Sequence, residues 1–191
     1  FREHFAIWPT TFFLFILSAI AVGPSFMSLI AMTVQKITGK KLIKQETFAE
    51  LGLISGILLS VYFLAKLHDT VRWWYTTVPS LEADATWFYA HEPYGIWLLI
   101  LEVFVFGLVP PIILLSKKRR QSMKWLALGS TLACIGMVFN RFIVTIQAQT
   151  VPTLTFDKFY VYWPTWQEWG VMSAIIAYGV IVYSLSYRYM P

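Results

Sequence analysis

Four ionisable side chains lie inside or at the edges of long apolar segments, at similar distances from one end of each segment. They are Asp69, Glu102, Arg141 and Glu168, and Asn140 precedes the arginine. A charged side chain near the middle of a bilayer costs about 2.5 kcal/mol or more, so such groups pair, face water or serve a function. A carboxylate such as Glu102 can also take up a proton. These residues therefore predict a proton-transfer or polar cluster near one membrane face.

The expected arrangement joins these groups across different helices. We expect Glu102 and Arg141 to face each other or to share a water, with Asp69 and Glu168 connecting that pair to the outer surface. His68, next to Asp69, adds an imidazole that exchanges protons near neutral pH. Two simpler interpretations stay open. Glu102 and Arg141 form only a structural ion pair, and Glu168 only caps the helix that it begins.

The sequence argues against a metal centre or a haem held by this chain alone. The single cysteine, Cys134, excludes a cysteine-ligated iron–sulfur cluster or structural zinc site made by this chain. Membrane b-type cytochromes hold haem between histidines inside the bilayer, and none of the three histidines lies in the middle of an apolar segment. We therefore expect no haem, iron–sulfur cluster or metal site here.

Five segments must position these groups. Each has about 20 mainly apolar residues, the length of α-helix that crosses about 30 Å of hydrocarbon. Their expected bounds are Thr10–Val34, Phe48–His68, Gly95–Leu115, Met123–Ile146 and Trp169–Tyr187. With 58% hydrophobic and 13% charged residues, the chain is predicted to be an all-α integral membrane protein. We expect one bundle of about five transmembrane helices, spanning residues 1–191 as a single domain.

Ten of the fifteen Lys and Arg residues lie on one side of this predicted bundle. They follow the first and third helices and close the fifth, at Lys36, Lys40, Lys41, Lys44, Lys117, Lys118, Arg119, Arg120, Lys124 and Arg188. Positive residues favour the cytoplasmic side, so the N-terminus is predicted outside and the C-terminus in the cytoplasm. The net charge of +5 therefore indicates topology rather than nucleic-acid binding.

The two links on the predicted outer side are rich in aromatic residues. One runs from Asp69 to Tyr94 and the other from Gln147 to Gln167. Aromatic side chains concentrate at the level of the lipid headgroups and in protein interfaces. Two interpretations follow: an ordinary aromatic belt, or a docking surface for another protein.

Four stretches of the sequence carry a family resemblance. FNRFIVTIQAQT has an Asn-Arg pair at a helix end, which places Asn140 and Arg141, and YVYWPTWQEWGV has a Pro-x-Trp-x-Glu turn, which places Glu168. LILEVFVFGLVPPIILL places Glu102 on a helix with a following proline, and AKLHDTVR places Asp69 at a helix end. Together they resemble the NrfD/polysulfide-reductase membrane-subunit family, in the branch of the cytochrome-b-like hydrogenase-2 subunit (HybB). The resemblance covers the C-terminal half of a typical member, so we expect a longer polypeptide.

The resemblance implies a quinone-interacting membrane subunit of a respiratory oxidoreductase complex, which is not catalytic by itself. Such a subunit exchanges electrons with a ferredoxin-like iron–sulfur partner on the outer face, and a multihaem cytochrome is a further candidate partner. The quinone, menaquinone or ubiquinone, is then protonated near that face. The implied location is the cytoplasmic membrane of a bacterium or archaeon, beside other membrane subunits.

The family resemblance leaves the quinone contacts of this chain unknown. In relatives the quinone headgroup lies in the N-terminal four-helix bundle, to which the present sequence shows no counterpart. Two alternative functions therefore stay open. One is a membrane anchor or assembly subunit with the quinone site elsewhere, and the other is a small-molecule transporter, which also places charged groups inside a helical bundle.

Overall fold

The computed structural model describes residues 10–41, 43–77, 79, 100–142 and 164–189, and most of these residues are helical. Two long helices come first, α1 (Thr11–Thr38) and α2 (Gln45–Arg72), and a π-helical turn at Trp73–Thr77 continues α2. A π-helix at Leu101–Leu108 then runs directly into α3 (Val109–Leu115). The remaining elements are α4 (Lys117–Arg120), α5 (Met123–Phe142) and α6 (Trp166–Tyr189).

The helix lengths confirm the prediction of an all-α integral membrane protein. Within the described ranges, four helices are long and apolar enough to cross a membrane, at Phe12–Thr38, Gln45–Thr76, Met123–Phe142 and Trp166–Ser186. A shorter apolar helix occupies Leu101–Leu115. It matches the predicted third span, whose expected start at Gly95 lies outside the described residues, as does the expected end of the fourth span at Ile146.

The turn after α1 explains why the first helix is longer than predicted. The apolar pattern suggested an end at Val34, but the helix continues to Thr38 and ends at Gly39, whose φ of 68° is left-handed. Glycine adopts that conformation without steric cost, and the Gly39 amide donates to the Gln35 carbonyl at 3.0 Å. The polar residues of this last turn therefore continue the helix beyond its apolar part.

Residues Phe1–Phe159 and Tyr160–Pro191 form two compact units. In the first unit, α1 packs on α2 and α5, and α3 packs between α2 and α5. The buried apolar core of this unit comprises Leu14, Ala21, Val22, Phe48, Leu59, Tyr62, Leu114, Leu126 and Ala133. In the second unit, α6 is an apolar helix of 24 residues. The expected single bundle of residues 1–191 stays a prediction.

Small and hydroxyl-bearing residues let α1 and α2 approach closely in the middle of the bundle. The hydroxyls of Ser25 and Ser55 lie 2.7 Å apart, and Ser55 also donates to the Ala21 carbonyl at 2.7 Å. A Cβ atom on Gly56 would lie 3.0 Å from the Leu114 side chain, so glycine permits the contact between α2 and α3. Such interhelical hydrogen bonds and small residues stabilise membrane helix pairs, where lipid tails provide no hydrophobic drive.

Candidate functional site

The C-terminal half of α2 carries a buried polar stripe. Tyr62, Lys66 and Asp69 follow one another at intervals of four and three residues, which places them on one face of the helix. Their exposed fractions are only 9%, 2% and 0%. A helix that buries a lysine and an aspartate inside an apolar bundle must supply partners for both charges.

Glu102 is the partner of Lys66. The Lys66 Nζ lies 3.0 Å from Glu102 Oε1, and the two side chains are 3% and 2% exposed. Asn140, on α5, donates its side-chain amide to the same carboxylate oxygen and is itself 2% exposed. The ion pair of Glu102 in the described residues is therefore with Lys66. The prediction that Glu102 and Arg141 face each other or share a water stays a prediction.

Arg141 contributes to a different part of the same region. Its Nη2 donates to the Phe15 carbonyl at 2.8 Å and to the Ser18 hydroxyl at 3.3 Å. Its guanidinium carbon also lies 3.4 Å from the centroid of the Phe15 ring, which is a cation–π contact. Arg141 therefore ties α5 to α1, whereas Asn140, one residue earlier, faces Glu102.

Asp69 marks the end of the cluster farthest from the lysine-rich loops. Its Oδ1 accepts a hydrogen bond from the Thr10 hydroxyl, at the start of α1. It lies three residues beyond Lys66, which is about 4.5 Å along the helix axis. His68 does not join this cluster, because its side chain is exposed while its neighbour Asp69 is buried.

Tyr62 lies beside Glu102 in the cluster. The two residues line the same small cavity, together with Ser18. The phenol is 9% exposed and lies one helical turn below Lys66 on α2. Because a phenol both donates and accepts hydrogen bonds, Tyr62 can take part in a hydrogen-bonded chain between Glu102 and the α1–α5 contact.

The π-helical conformation at Leu101–Leu108 gives Glu102 its position. A π-helix widens each turn, and single π-helical turns in α-helices frequently occur at functional sites. The segment packs tightly against its neighbours, because a Cβ on Gly107 would lie 3.2 Å from the Phe63 ring and one on Gly136 would lie 2.6 Å from the Phe106 side chain. These two glycines therefore let the Glu102-bearing helix approach α2 and α5.

Several buried polar atoms of the cluster are available to a further partner. Within the described ranges, Asp69 Oδ2, Glu102 Oε2, Asn140 Oδ1 and the Ser130 hydroxyl have no hydrogen-bond partner. A cavity of about 10 Å³ beside Glu102 is lined in part by Ser18 and Tyr62. That volume is about what one water requires, and buried polar atoms usually bind protein groups or water. The site therefore has room for one water.

Glu168 has a local role at the start of α6. Its Oε2 accepts from the Thr165 amide at 2.6 Å and from the Thr165 hydroxyl at 2.9 Å. This is the return half of a capping box, in which an acidic residue at the third helical position satisfies the N-cap amide. The prediction that Glu168 connects the cluster to the outer surface stays a prediction.

The sequence argument missed the most important partner in the cluster. Lys66, Tyr62 and Ser18 are not among the residues that the sequence predicts for the cluster. The available signal was the spacing of Tyr62, Lys66 and Asp69 on one face of an otherwise apolar helix. What the sequence does not give is which of two cations, Lys66 or Arg141, reaches the carboxylate.

Fold and site together define a class: multi-span helical membrane proteins with a buried, ion-paired polar cluster near one membrane face. Comparison with known proteins gives the family. The family model described as "Polysulphide reductase, NrfD" matches residues 4–153, so the chain belongs to the NrfD family. The matched range contains Lys66, Asp69, Glu102 and the Asn140–Arg141 pair, and ends before Glu168.

Two relatives come from Nitratidesulfovibrio vulgaris (strain Hildenborough). One, named "Menaquinone reductase, integral membrane subunit", is 42% identical over 193 residues, which cover 100% of this chain and 46% of the relative. The other, described only as "Protein", is 26% identical over 140 residues, which cover 73% of this chain and 32% of that protein. The chain thus spans less than half the length of the curated relatives it matches. No solved structure matches it.

Proposed function

We propose that this chain is part of the quinone-interacting membrane subunit of a respiratory oxidoreductase, and that its buried cluster transfers protons during quinone turnover. The relative that is 42% identical is named for menaquinone reduction, which supports a quinone as the substrate of the complex. The observation that carries the proton role is the buried Lys66–Glu102 pair, with 3.0 Å between its atoms and side chains 3% and 2% exposed.

The chemistry of quinones explains why such a pair would be useful. Reduction of a quinone to a quinol consumes two electrons and two protons, so the protein must deliver protons to a site inside the membrane. Glu102 can bind and release a proton, and Lys66 stabilises the carboxylate that remains. Asn140 holds the carboxylate in place by donating its amide to Oε1. Asp69, at the outer end of the stripe, would exchange protons with the membrane surface.

The cavity beside Glu102 supports proton delivery rather than binding of the quinone ring in this cluster. Its volume is about 10 Å³, whereas sites for small organic molecules span about 300 to 1,000 Å³. We therefore assign the ring to another part of the longer subunit. In this proposal the chain supplies protons, and residues outside it contact most of the headgroup.

The proposed partners follow from the electron balance. The chain has a single cysteine, so a cysteine-ligated cluster that supplies the electrons would lie outside it. An iron–sulfur protein of the ferredoxin type on the outer face, with or without a multihaem cytochrome, would supply them. The Lys66–Glu102 pair lies at the end of α2 remote from the lysine-rich loops, which is the side that such a partner would reach. The membrane would be the cytoplasmic membrane of a bacterium or archaeon.

Glu102→Gln in the assembled complex tests the proposal. Glutamine keeps the shape of the side chain and can accept from Asn140, but it cannot carry a proton. Loss of a positioned proton carrier lowers turnover by about 10²-fold or more, so quinone-linked turnover per assembled complex should fall to that extent. The yield of assembled complex should also fall, because Lys66 is left without its counter-ion. Glu50→Gln is the matched control, because Glu50 is exposed at the other end of α2. Unchanged turnover in an assembled Glu102→Gln complex would disprove the proton role.

A membrane anchor without a proton role is the second candidate function. It is favoured by one observation, namely that Glu102 Oε1 is already bound by two protein groups, the Lys66 ammonium and the Asn140 side-chain amide. In that case the pair only locks α2 to the π-helix. Glu102→Gln would then weaken the subunit and leave the turnover of each assembled complex unchanged, so the same experiment separates the two functions.

A further inference from the structure

A second polar region lies at the opposite end of α2, where α1 ends and α5 begins. A pocket of about 480 Å³ opens there, and we call it the basic pocket. Its walls are formed by Gln35, Lys41, Ile43, Lys44, Gln45, Phe48 and Met123. The volume falls in the range of about 300 to 1,000 Å³ that is typical of small-molecule sites.

Hydrogen bonds fix the shape of the basic pocket. The Gln35 side chain donates to the Ile43 carbonyl at 3.1 Å, which holds the α1–α2 loop against the end of α1. The Gln45 side chain donates to the Gln121 carbonyl, which holds the start of α2 against the turn before α5. Phe48 is 1% exposed and forms a rigid apolar floor. The pocket is therefore largely pre-formed.

The lining of the basic pocket combines positive charge with apolar surface. Lys41 and Lys44 are exposed, and no described carboxylate forms a salt bridge with either of them. Ile43 and Met123 are half-buried and add apolar surface to the floor made by Phe48. Two unneutralised ammonium groups beside an apolar wall are suited to an amphiphilic anion.

A neighbouring pocket of about 510 Å³ provides an internal contrast. Gln45 lines both pockets, but the neighbour also carries Glu46, Glu50, Lys117 and Arg120. Its two carboxylates balance its two cations, so it offers an anion no net attraction. Of these two pockets, only the basic pocket therefore offers an anion a net positive lining.

The position of the basic pocket identifies the class of ligand. It lies where the apolar spans Phe12–Thr38 and Gln45–Thr76 end and begin, which is the level of the lipid headgroups. The lysine-rich side is the predicted cytoplasmic side, and the cytoplasmic leaflet contains the anionic lipids that attract basic clusters. We propose that the basic pocket binds an anionic phospholipid. Lys41 and Lys44 contact its phosphate, and Ile43 and Met123 contact the adjoining apolar part. This inference does not depend on the proposed function.

Lipid titration of the purified protein tests the proposal. The protein is extracted in neutral detergent with the subunits that accompany it, and bound phosphatidylglycerol is counted by native mass spectrometry. A lysine near an anionic surface contributes about a 5-fold change in affinity, so the Lys41→Gln, Lys44→Gln double variant should bind about 30-fold more weakly. Lys36→Gln with Lys40→Gln is the matched control, because it removes the same charge from the end of α1 and the loop that follows, at exposed positions that do not line the pocket. Its affinity should change by less than about 3-fold, since exposed charges are screened.

Three further arms complete the test. Lys41→Arg with Lys44→Arg keeps both charges and should still bind phosphatidylglycerol. Retained binding would show that the glutamine variant binds weakly because it lacks the charges and not because it is misfolded. If the glutamine variant and its control lose the same amount of affinity for phosphatidylglycerol, the attraction is spread over the basic surface. That result would contradict a specific site in the basic pocket. Equal retention of phosphatidylcholine would indicate an apolar groove only. Displacement of the lipid by inorganic phosphate at the same phosphate concentration would indicate a free-anion site. Each of these last two results contradicts the proposal.

Discussion

The two ends of α2 hold lysines in opposite environments. Lys66, in the second-last turn of the helix, is 2% exposed and lies 3.0 Å from Glu102. Lys44 immediately precedes the helix, is exposed and neighbours further lysines of the same loop. The same residue type therefore forms a specific ion pair at one end of the helix and a like-charged cluster at the other.

The difference shows how depth in the membrane decides what a charge can do. A lysine inside the bundle must be paired, because an unpaired charge in hydrocarbon costs several kcal/mol. A lysine at the membrane boundary is solvated, and repulsion between neighbours is screened by salt over about 8 Å. Chemistry is therefore expected at the Lys66 end, and orientation and lipid contacts at the Lys44 end.

The largest expected effect is on labelling from outside the cell, which tests the orientation behind this comparison. After Cys134→Ser, single cysteines are introduced as Thr38→Cys on the lysine-rich side and Thr86→Cys on the aromatic side. In intact cells, an impermeant thiol reagent should label the cysteine at position 86 and leave that at position 38 unlabelled. The opposite pattern would mean that the basic pocket faces outward, and would reverse the assignment of both ends.

Lys66→Met should have the next largest effect, because it leaves Glu102 buried without its cation. Breaking one partner of a buried ion pair costs about 3–5 kcal/mol. We therefore expect a marked loss of folded subunit and a lower midpoint in thermal unfolding in detergent. Lys44→Met removes the same charge at the exposed end of the helix. It should change the free energy of unfolding by less than about 0.5 kcal/mol, as most surface changes do.

A double variant shows whether the loss comes from the pair. Lys66→Met combined with Glu102→Gln removes both charges, and replacing a buried pair by neutral residues is often close to neutral. The double variant should therefore recover most of the stability that Lys66→Met alone loses. If the two single losses simply add, Lys66 and Glu102 are not coupled.

Gly136→Ala should have a smaller effect that is confined to the Glu102 end. A Cβ there would lie 2.6 Å from the Phe106 side chain and 3.2 Å from its carbonyl oxygen. Overpacking of this kind costs about 1–3 kcal/mol. Gly179→Ala, in α6, is the matched control, because among the described residues nothing beyond its chain neighbours and the backbone of its own helix lies within 4 Å of the Cβ that it would add. Equal unfolding midpoints for the two variants would contradict the close contact between the π-helix and α5.

The sequence predicts the helices and the buried charges of this protein better than it predicts which residues pair. The five apolar segments predict the all-α membrane fold, because hydrocarbon thickness fixes the length of a span. Glu102 and Arg141 could be selected because a charge inside the membrane is costly. Asn140 could be added because it precedes Arg141 in the sequence. The choice of Lys66 as counter-ion could not be predicted, because it depends on the rotation of α2 about its axis and on the π-helical turns around Glu102. The exposure of His68 has the same origin.

The smallest expected effect concerns Glu168, which the sequence grouped with Glu102. The hydrogen bonds from Thr165, at 2.6 and 2.9 Å, account for Glu168 as a helix cap. Glu168→Ala should therefore destabilise α6 by about 0.5–2 kcal/mol, the usual cost of a lost cap. Glu168→Gln keeps an acceptor for the Thr165 amide and should leave quinone-linked turnover unchanged, while Glu102→Gln lowers it. A matching loss in both glutamine variants would instead place Glu168 on the proton path, and the two carboxylates would then belong to one functional unit.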